Sequence, residues 1–420
     1  MFMTEPTASL IEKASARIRR GVLRRVLRWK NAPFRESILS GYGLYPAGLK
    51  KLSLGCALRK EIAGPSRFSV TSPHWFDQQG KKIEGIFPEI NANIIKNAIA
   101  TPYCSAFASG NDLLMPDILA DAADRVLTDE GGLFTVTPSG PFVFGKSDMD
   151  LDRAIHIGGA GAFNWYHFII ECLPKAFLSQ RLPSEFDDVP FLLPVECREV
   201  TAFSDAISAV SGNRAMAYLP RGRRARVREL IVLDEVSSGP FNLIPGEWPK
   251  ITDYSQSDEE LLQFFNNFRN SVLKNYSATS KGRRLFLSRP GVRRNYNQEE
   301  ILGIARRYGF EAVFPEKRTL REQAELFAEA SAIVGPSGAA WVGMIFSERQ
   351  ISGLTWVPDV YREFCSYSTL ADLLGHDLTY IEAQLFSNVA STGDVYKSEY
   401  TVSAVEFEDA LRGVLGESAP

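Results

Sequence analysis

Residues 283–346 alternate short apolar runs with amphipathic helical stretches, and few folds accept that alternation. The run 285–287 stops at Ser288-Arg289-Pro290-Gly291, where Pro and Gly punctuate a strand-to-loop change. Asn297 stands three residues before Glu300, the spacing of an N-cap and its N3 partner. Ile301, Ile304, Ala305 and Tyr308 then fall on one helical face, and Gly309 ends it. Residues 311–314 read as a second strand. Thr319 and Glu322 open a second helix with Leu320, Ala324, Phe327 and Ala328 on its buried side. Residues 332–334 form a third strand that runs into Gly335-Pro336-Ser337-Gly338-Ala339-Ala340 and an apolar helix over 341–346. The order β-α-β-α-β-α is that of a parallel sheet flanked by helices.

Ligands of such sheets sit at the carboxyl ends of the strands. One loop leaving a strand end carries Arg289, Arg293 and Arg294. The other is Gly335-Pro336-Ser337-Gly338-Ala339, at the start of a helix. Guanidinium forks pair with phosphate oxygens, and helix N-termini attract them. The two loops together suit a diphosphate. Taken alone, the glycine loop is equally a tight β–α turn and the arginines a solvated face.

A second unit begins at 154–157, a short strand that enters Gly158-Gly159-Ala160-Gly161-Ala162. This is an incomplete dinucleotide fingerprint, because the third glycine is missing. An apolar helix follows, interrupted by Asn164, His167 and Glu171, whose spacings of three and four place them on one face. A His and a carboxylate so placed could share a proton, or could simply satisfy each other as a buried polar pair.

These residues resemble glycosyltransferase family 61, which includes bacterial capsular-polysaccharide enzymes. The likeness lies in Leu287-Ser288-Arg289, Arg293-Arg294, Asn297, Gly309-Phe310, Gln323, Leu326-Phe327, Ala330 and Val334-Gly335-Pro336-x-Gly338-Ala339, and in Asn164-x-Tyr166-His167-Phe168, Glu171 and Pro174. It implies a GT-B fold, with two Rossmann-like domains facing a cleft, and an inverting transfer from a nucleotide diphosphate sugar (a UDP-sugar from the family alone). The donor would be held by Arg289, Arg293, Arg294, Asn297 and 335–339. Glu171 would be the base, with His167 as its orienting partner or a donor contact, or the two in reversed roles. Asn164 and Tyr166 would be acceptor or structural residues. The resemblance implies no permanently bound cofactor and no metal. Ser337 stands where the family usually has His, and Trp341-Val342-Gly343 where it usually has Leu-Thr-Asn. A non-catalytic glycan- or nucleotide-binding relative is therefore the alternative.

The remainder bounds this reading. A chain of 420 residues accommodates two cores, and a net charge of −3 gives no global signal for nucleic acid. Five dispersed cysteines without a CxxC pair suggest reduced thiols and a cytoplasmic setting. Residues 10–30 read as a basic amphipathic helix, with eight cationic side chains against Glu12. Such a helix suits either an anionic membrane surface, placing the protein on its cytoplasmic face, or packing on the protein itself. Asp148-Met149-Asp150 matches the metal-binding DxD of other glycosyltransferases, but it reads better as a surface turn. The expected division is 1–60 as basic helix and linker, and 61–250 as an acceptor-side domain with a β-rich segment. A nucleotide-sugar domain over 251–395 follows, then a helical 396–420 crossing back to the first domain. A glycan or lipid-linked glycan acceptor completes the expectation.

Overall fold

The computed structural model describes residues 39–41, 43–120, 132–137, 140–240, 243–277, 282–291 and 294–416. The basic helix over 10–30 and Arg293 lie outside the described residues.

Two units carry the parallel strands, the first in a mixed sheet and the second in a mainly parallel one. In the first, four parallel strands stand side by side in the order Met216–Leu219, Phe191–Pro194, Met149–His156, Ala225–Leu233. Numbered along the chain, that is 3-2-1-4. The strand order reverses between Met149–His156 and Ala225–Leu233, so a crevice opens at their carboxyl ends. The sheet continues antiparallel through Ile90–Ala100, which also pairs with Leu58–Ala63, and then through Phe107–Ser109 and Asp112–Met115. Ile90–Ala100 is buried along most of its length, as a central strand covered on both faces must be.

The second unit orders its parallel strands Glu311–Val313, Arg283–Leu287, Ala330–Pro336, Ser352–Val357, Asp377–Leu385. This is 2-1-3-4-5, with the reversal between Arg283–Leu287 and Ala330–Pro336. The two strands whose following loops carry the arginines and the glycines are therefore neighbours at the switch point. Gly335 allows their close approach, because a Cβ there would lie 2.6 Å from the Cβ of Leu287. Two later additions extend the sheet. Tyr400–Val402 pairs antiparallel with Asp377–Leu385, and His74–Trp75, from far earlier in the chain, pairs parallel with that same strand.

The units share one hydrophobic cluster. The helix Asp258–Val272 braces it, capped by the Ser257 hydroxyl on the Glu260 N–H. Its Phe264 ring meets Phe177 of the first unit at 6.0 Å, and its Phe268 ring meets Phe346 of the second at 5.7 Å. A two-stranded ribbon, Ser66–Thr71 with Lys82–Phe87, ties on as well, since the Ser368 hydroxyl donates to the Thr71 carbonyl.

Three local expectations are corrected. The final helix, Ala404–Leu415, does not cross back; Phe407, Ala410 and Leu411 fill the face of the second sheet with Phe286, Ile301 and Trp356. Residues 339–346 form a 3-10 helix. It is buried from Trp341 onwards, and Gly343 lies so close to Phe327 that a Cβ would sit 2.3 Å from the ring. Asn297 precedes its helix, but its side chain does not cap it.

His156, at the end of the first crevice strand, is buried edge-on to Phe107, with Nε2 bonded to the Thr101 carbonyl at 3.0 Å. Burial, and then the Lys175 charge, push its pKa down to about 3. The unfolded chain would take up this proton near pH 6.5 and the folded chain would not. The histidine's contribution is thus complete above about pH 6.5 and is lost as pH falls toward about 3, on the order of a few kcal/mol. Urea midpoints measured from pH 7.5 to 4.5 are expected to fall more steeply for the wild type than for His156→Phe. Parallel slopes would contradict this.

Candidate functional site

The segment after Met149–His156 builds the first half of the site. Asn164 caps the following helix through its Oδ1, which accepts the Tyr166 N–H at 2.9 Å. Trp165–His167 is α-helical, Phe168–Cys172 is a π-helical stretch, and Leu173–Leu178 returns to α. Pro174 accounts for part of this irregularity. It has no N–H for the Ile170 carbonyl one turn back, and Leu173 N–H instead bonds Phe168 in the wider i to i−5 register. The released Ile170 carbonyl accepts the buried Ser237 hydroxyl at 3.0 Å. Within the π stretch sits Glu171, whose Oε1 lies 2.8 Å from Nδ1 of His167. Both side chains keep 13% exposure, enough to meet a ligand without being solvated like surface groups.

Glu171 opens on a small cavity of about 30 Å³, room for about one water. Tyr166 and Ile170 line it from the first unit. Ser366 and Thr369 line it from the second, with Tyr254 and Gln256 between. The Tyr166 hydroxyl donates to the Ser366 carbonyl at 2.7 Å, and its ring meets Tyr367 edge-on at 5.4 Å. Tyr367 in turn hydrogen-bonds the backbone of Gly338. The helix Trp165–His167 also packs against Ala339–Phe346. The two sequence-predicted sites are therefore joined through two tyrosines.

In the second half, Arg289 donates to the Ser337 carbonyl and to the Arg294 carbonyl, the latter at 3.3 Å. Gln298 fixes its backbone from both sides, at 2.8 and 3.1 Å. Arg294 donates to the Ser337 hydroxyl at 3.1 Å and lies 5.1 Å over the Tyr396 ring. Its backbone is left-handed, at φ 54°, a strained conformation for Arg that turns the side chain toward the glycine loop. Among the described residues neither guanidinium has a carboxylate within ion-pair distance. Burial and the neighbouring Arg294 charge press the Arg289 pKa below its usual value, yet a guanidinium remains charged. Two adjacent guanidiniums thus meet at the switch point and, among the described residues, no carboxylate balances them.

Asn297 is elsewhere engaged. Its amide pairs with both backbone groups of Val402, at 2.9 Å each, and so clamps the added edge strand. Asp148 is held by Arg223 at 2.6 Å and by the Arg224 N–H at 3.0 Å, and Asp150 by Ser147 at 3.2 Å. Among the described residues, no group of three or more His, Cys, Asp or Glu is placed to hold a metal ion.

Sequence reasoning missed Lys175 and Glu235. Their ion pair, 3.0 Å long, is buried, with 2% and 8% exposure. Lys175 also donates to the Gly158 carbonyl, and Ser105 accepts the Ala160 N–H at 3.2 Å. The first glycine loop is thus underpinned by a buried charge pair of the chain's own. A Gly158 Cβ would lie 2.3 Å from the Pro102 carbonyl oxygen, so the glycine there serves packing. The available signal was Lys175 itself, one charge in an apolar helix, four residues beyond Glu171 and eight beyond His167.

The family model described as Glycosyltransferase 61 matches residues 165–354, a span from the first residue of the Glu171 helix to the strand after the glycine loop. No curated protein matches the chain.

Removing the Ser237 hydroxyl leaves the Ile170 carbonyl buried and unpaired. Ser237→Ala is therefore expected to lower stability by about 1–3 kcal/mol, read as a lower denaturant midpoint. An unchanged midpoint would show that the π stretch does not need this support.

Proposed function

Starting from the membership of residues 165–354 in glycosyltransferase family 61, we propose that the protein is an inverting glycosyltransferase. It transfers a sugar from a nucleotide diphosphate sugar, UDP-linked, to a glycan or lipid-linked glycan in surface polysaccharide synthesis. The observation that carries this reading is the pair of guanidiniums, Arg289 and Arg294, meeting at Ser337 without a carboxylate.

The chemistry follows from the two halves. The donor diphosphate replaces the protein's own oxygens on Arg289 and Arg294 and lies against the loop 335–339. Glu171 removes the proton of the acceptor hydroxyl, held in position by His167. The acceptor oxygen bonds to the anomeric carbon from the face opposite the diphosphate, and the bond from that carbon to the diphosphate oxygen breaks. The electron pair leaves on the diphosphate, whose growing charge the arginines stabilise. The cavity beside Glu171 holds about one water and is too small for a sugar. Substrates therefore enter by parting the seam between Tyr166 and residues 366–369, in a GT-B-like arrangement. Arg293 would add a third cation to the same loop. The basic stretch 10–30 would set the enzyme on an anionic membrane surface, on the cytoplasmic side. No helix among the described residues is long and apolar enough to cross a membrane.

A second reading, a binding protein without transfer, draws on one observation. Ser337, where the family has His, occupies Arg294. A panel of nucleotide sugars, assayed for diphosphate release, separates the two readings. One donor is expected to be turned over. Glu171→Gln would then lower kcat by about 10²–10⁴-fold, and Arg294→Ala would raise the donor KM by about 10- to 100-fold. Binding of a nucleoside diphosphate without release of any product, with all acceptors supplied, would favour the second reading.

A further inference from the structure

The strands Asp377–Leu385 and Tyr400–Val402 pair antiparallel, and residues 386–399 join them. The join leaves the carboxyl end of the last parallel strand, the same end of the sheet as the arginine and glycine loops. The Phe386 N–H donates to the Glu399 carbonyl at 3.3 Å and closes its base. Against this segment lies a cleft of about 450 Å³, whose lining includes Phe386, Ser387, Asn388, Lys397 and Glu399. Sites for small organic ligands span roughly 300–1,000 Å³. We propose that this cleft holds the nucleoside of the nucleotide diphosphate sugar. The proposal rests on the transferase reading, with the diphosphate on Arg289 and Arg294.

Its position follows from Arg294. That guanidinium donates to the Ser337 hydroxyl and also lies 5.1 Å over the ring of Tyr396, within the segment that forms the cleft. The next residue, Asn295, donates to Oε1 of Glu399 at 3.2 Å, and its carbonyl accepts the Tyr400 N–H at 3.1 Å. Arg289 reaches the Tyr400 hydroxyl at 3.5 Å. Tyr296, stacked on Tyr400 at 5.2 Å, backs these contacts. The arginine loop and the wall of the cleft are thus one bonded piece. A diphosphate on Arg294 has two ends. Its sugar end must face Glu171, which is joined to the glycine loop through Tyr166 and Tyr367. The nucleoside end is left to the Tyr396 side, where the cleft opens.

The lining has the matching chemistry. Phe386 keeps 69% exposure, and an exposed aromatic ring offers a stacking surface to any base. Among the described residues, the side chains of Ser387, Asn388 and Lys397 make no hydrogen bond or ion pair. The Asn388 amide both donates and accepts, as the edge of a nucleobase does. Glu399 keeps its second oxygen for a ribose hydroxyl. Asp394, also in the lining, is by contrast used within the segment; its carboxylate accepts the Ser391 hydroxyl at 2.8 Å and the Ala390 N–H at 3.3 Å. The wall is held by its own bonds, and the groups left over line the cleft. A glycan would also stack on Phe386, but the place of the cleft, beyond Arg294 from the glycine loop, favours the nucleoside.

Calorimetric binding to the full-length protein tests this, with the uridine, cytidine, adenosine and guanosine diphosphates and with inorganic pyrophosphate as probes. One nucleoside diphosphate is expected to bind more tightly than pyrophosphate. Phe386→Ala is expected to weaken it by about 5- to 100-fold, the worth of one stacked base, and to leave pyrophosphate unchanged. Phe386→Trp keeps a stacking face and retains binding. Asn388→Ala shrinks the preference among bases, and Arg294→Ala weakens nucleoside diphosphate and pyrophosphate alike. Phe386 is exposed, so its truncation leaves the core intact, and an unshifted Tm checks this. Phe386→Ala protein that binds the nucleoside diphosphate as tightly as wild type, or that loses pyrophosphate in equal measure, would overturn the inference and leave the transferase reading standing. So would an oligosaccharide whose binding is lost in Phe386→Ala while that of the nucleoside diphosphate stays. If the wild type binds none of the nucleoside diphosphates, the transferase reading falls and the inference falls with it.

Discussion

The contact of Tyr166 with residues 366 and 367 is the joint on which the site depends. A hydroxyl on a carbonyl at 2.7 Å and a ring on a ring at 5.4 Å are modest interactions. They matter because they fix the helix of Glu171 against the helix Ser366–Leu374, which follows the strand Ser352–Val357 of the second sheet. Tyr367 passes the contact to Gly338, and Arg289 and Arg294 close on the adjacent Ser337. In the proposed reaction this seam parts to admit substrate, so the proposed base on one sheet and the proposed anion site on the other work together once the joint has closed again. The shared core, with Phe264 and Phe268 in it, ties the two units together beside the joint.

The two glycine loops show why a motif takes its meaning from what lies beneath it. Both follow a strand at a reversal of strand order, where open sheets bind ligands. Under Gly158 the chain supplies its own cation and its own carboxylate, which balance each other. At Ser337 it supplies two cations and, among the described residues, no carboxylate. The second loop is the one left unsatisfied in charge, and it is where the case for a diphosphate is made.

Much of this was legible in the sequence, because it depended on short-range pattern. The alternation over 283–346 placed the strands and helices at the switch point, and the capping box of Thr319 and Glu322 formed as written. His167 and Glu171 met as their spacing of four predicted, while Asn164 became the cap of their helix. What was not legible came from distant partners. Asn297 had the spacing of a cap but was claimed by Val402, 105 residues away. The last helix had an apolar stripe without an address, and the second sheet took it. The π stretch followed from Pro174 only once Ser237 was in place to receive the freed carbonyl. Lys175 was visible as a charge in an apolar helix, while Glu235 carried no signal of its own.

A crystal structure of the protein with a nucleoside diphosphate tests the central claim most directly. The diphosphate is expected between Ser288–Arg289 and Ser337–Ala339. Arg294 would have left Ser337 to bind it, and the sugar-bearing end would point toward Glu171. A diphosphate seated at Gly158–Gly161, or anywhere that leaves Arg289 and Arg294 on Ser337, would contradict the account.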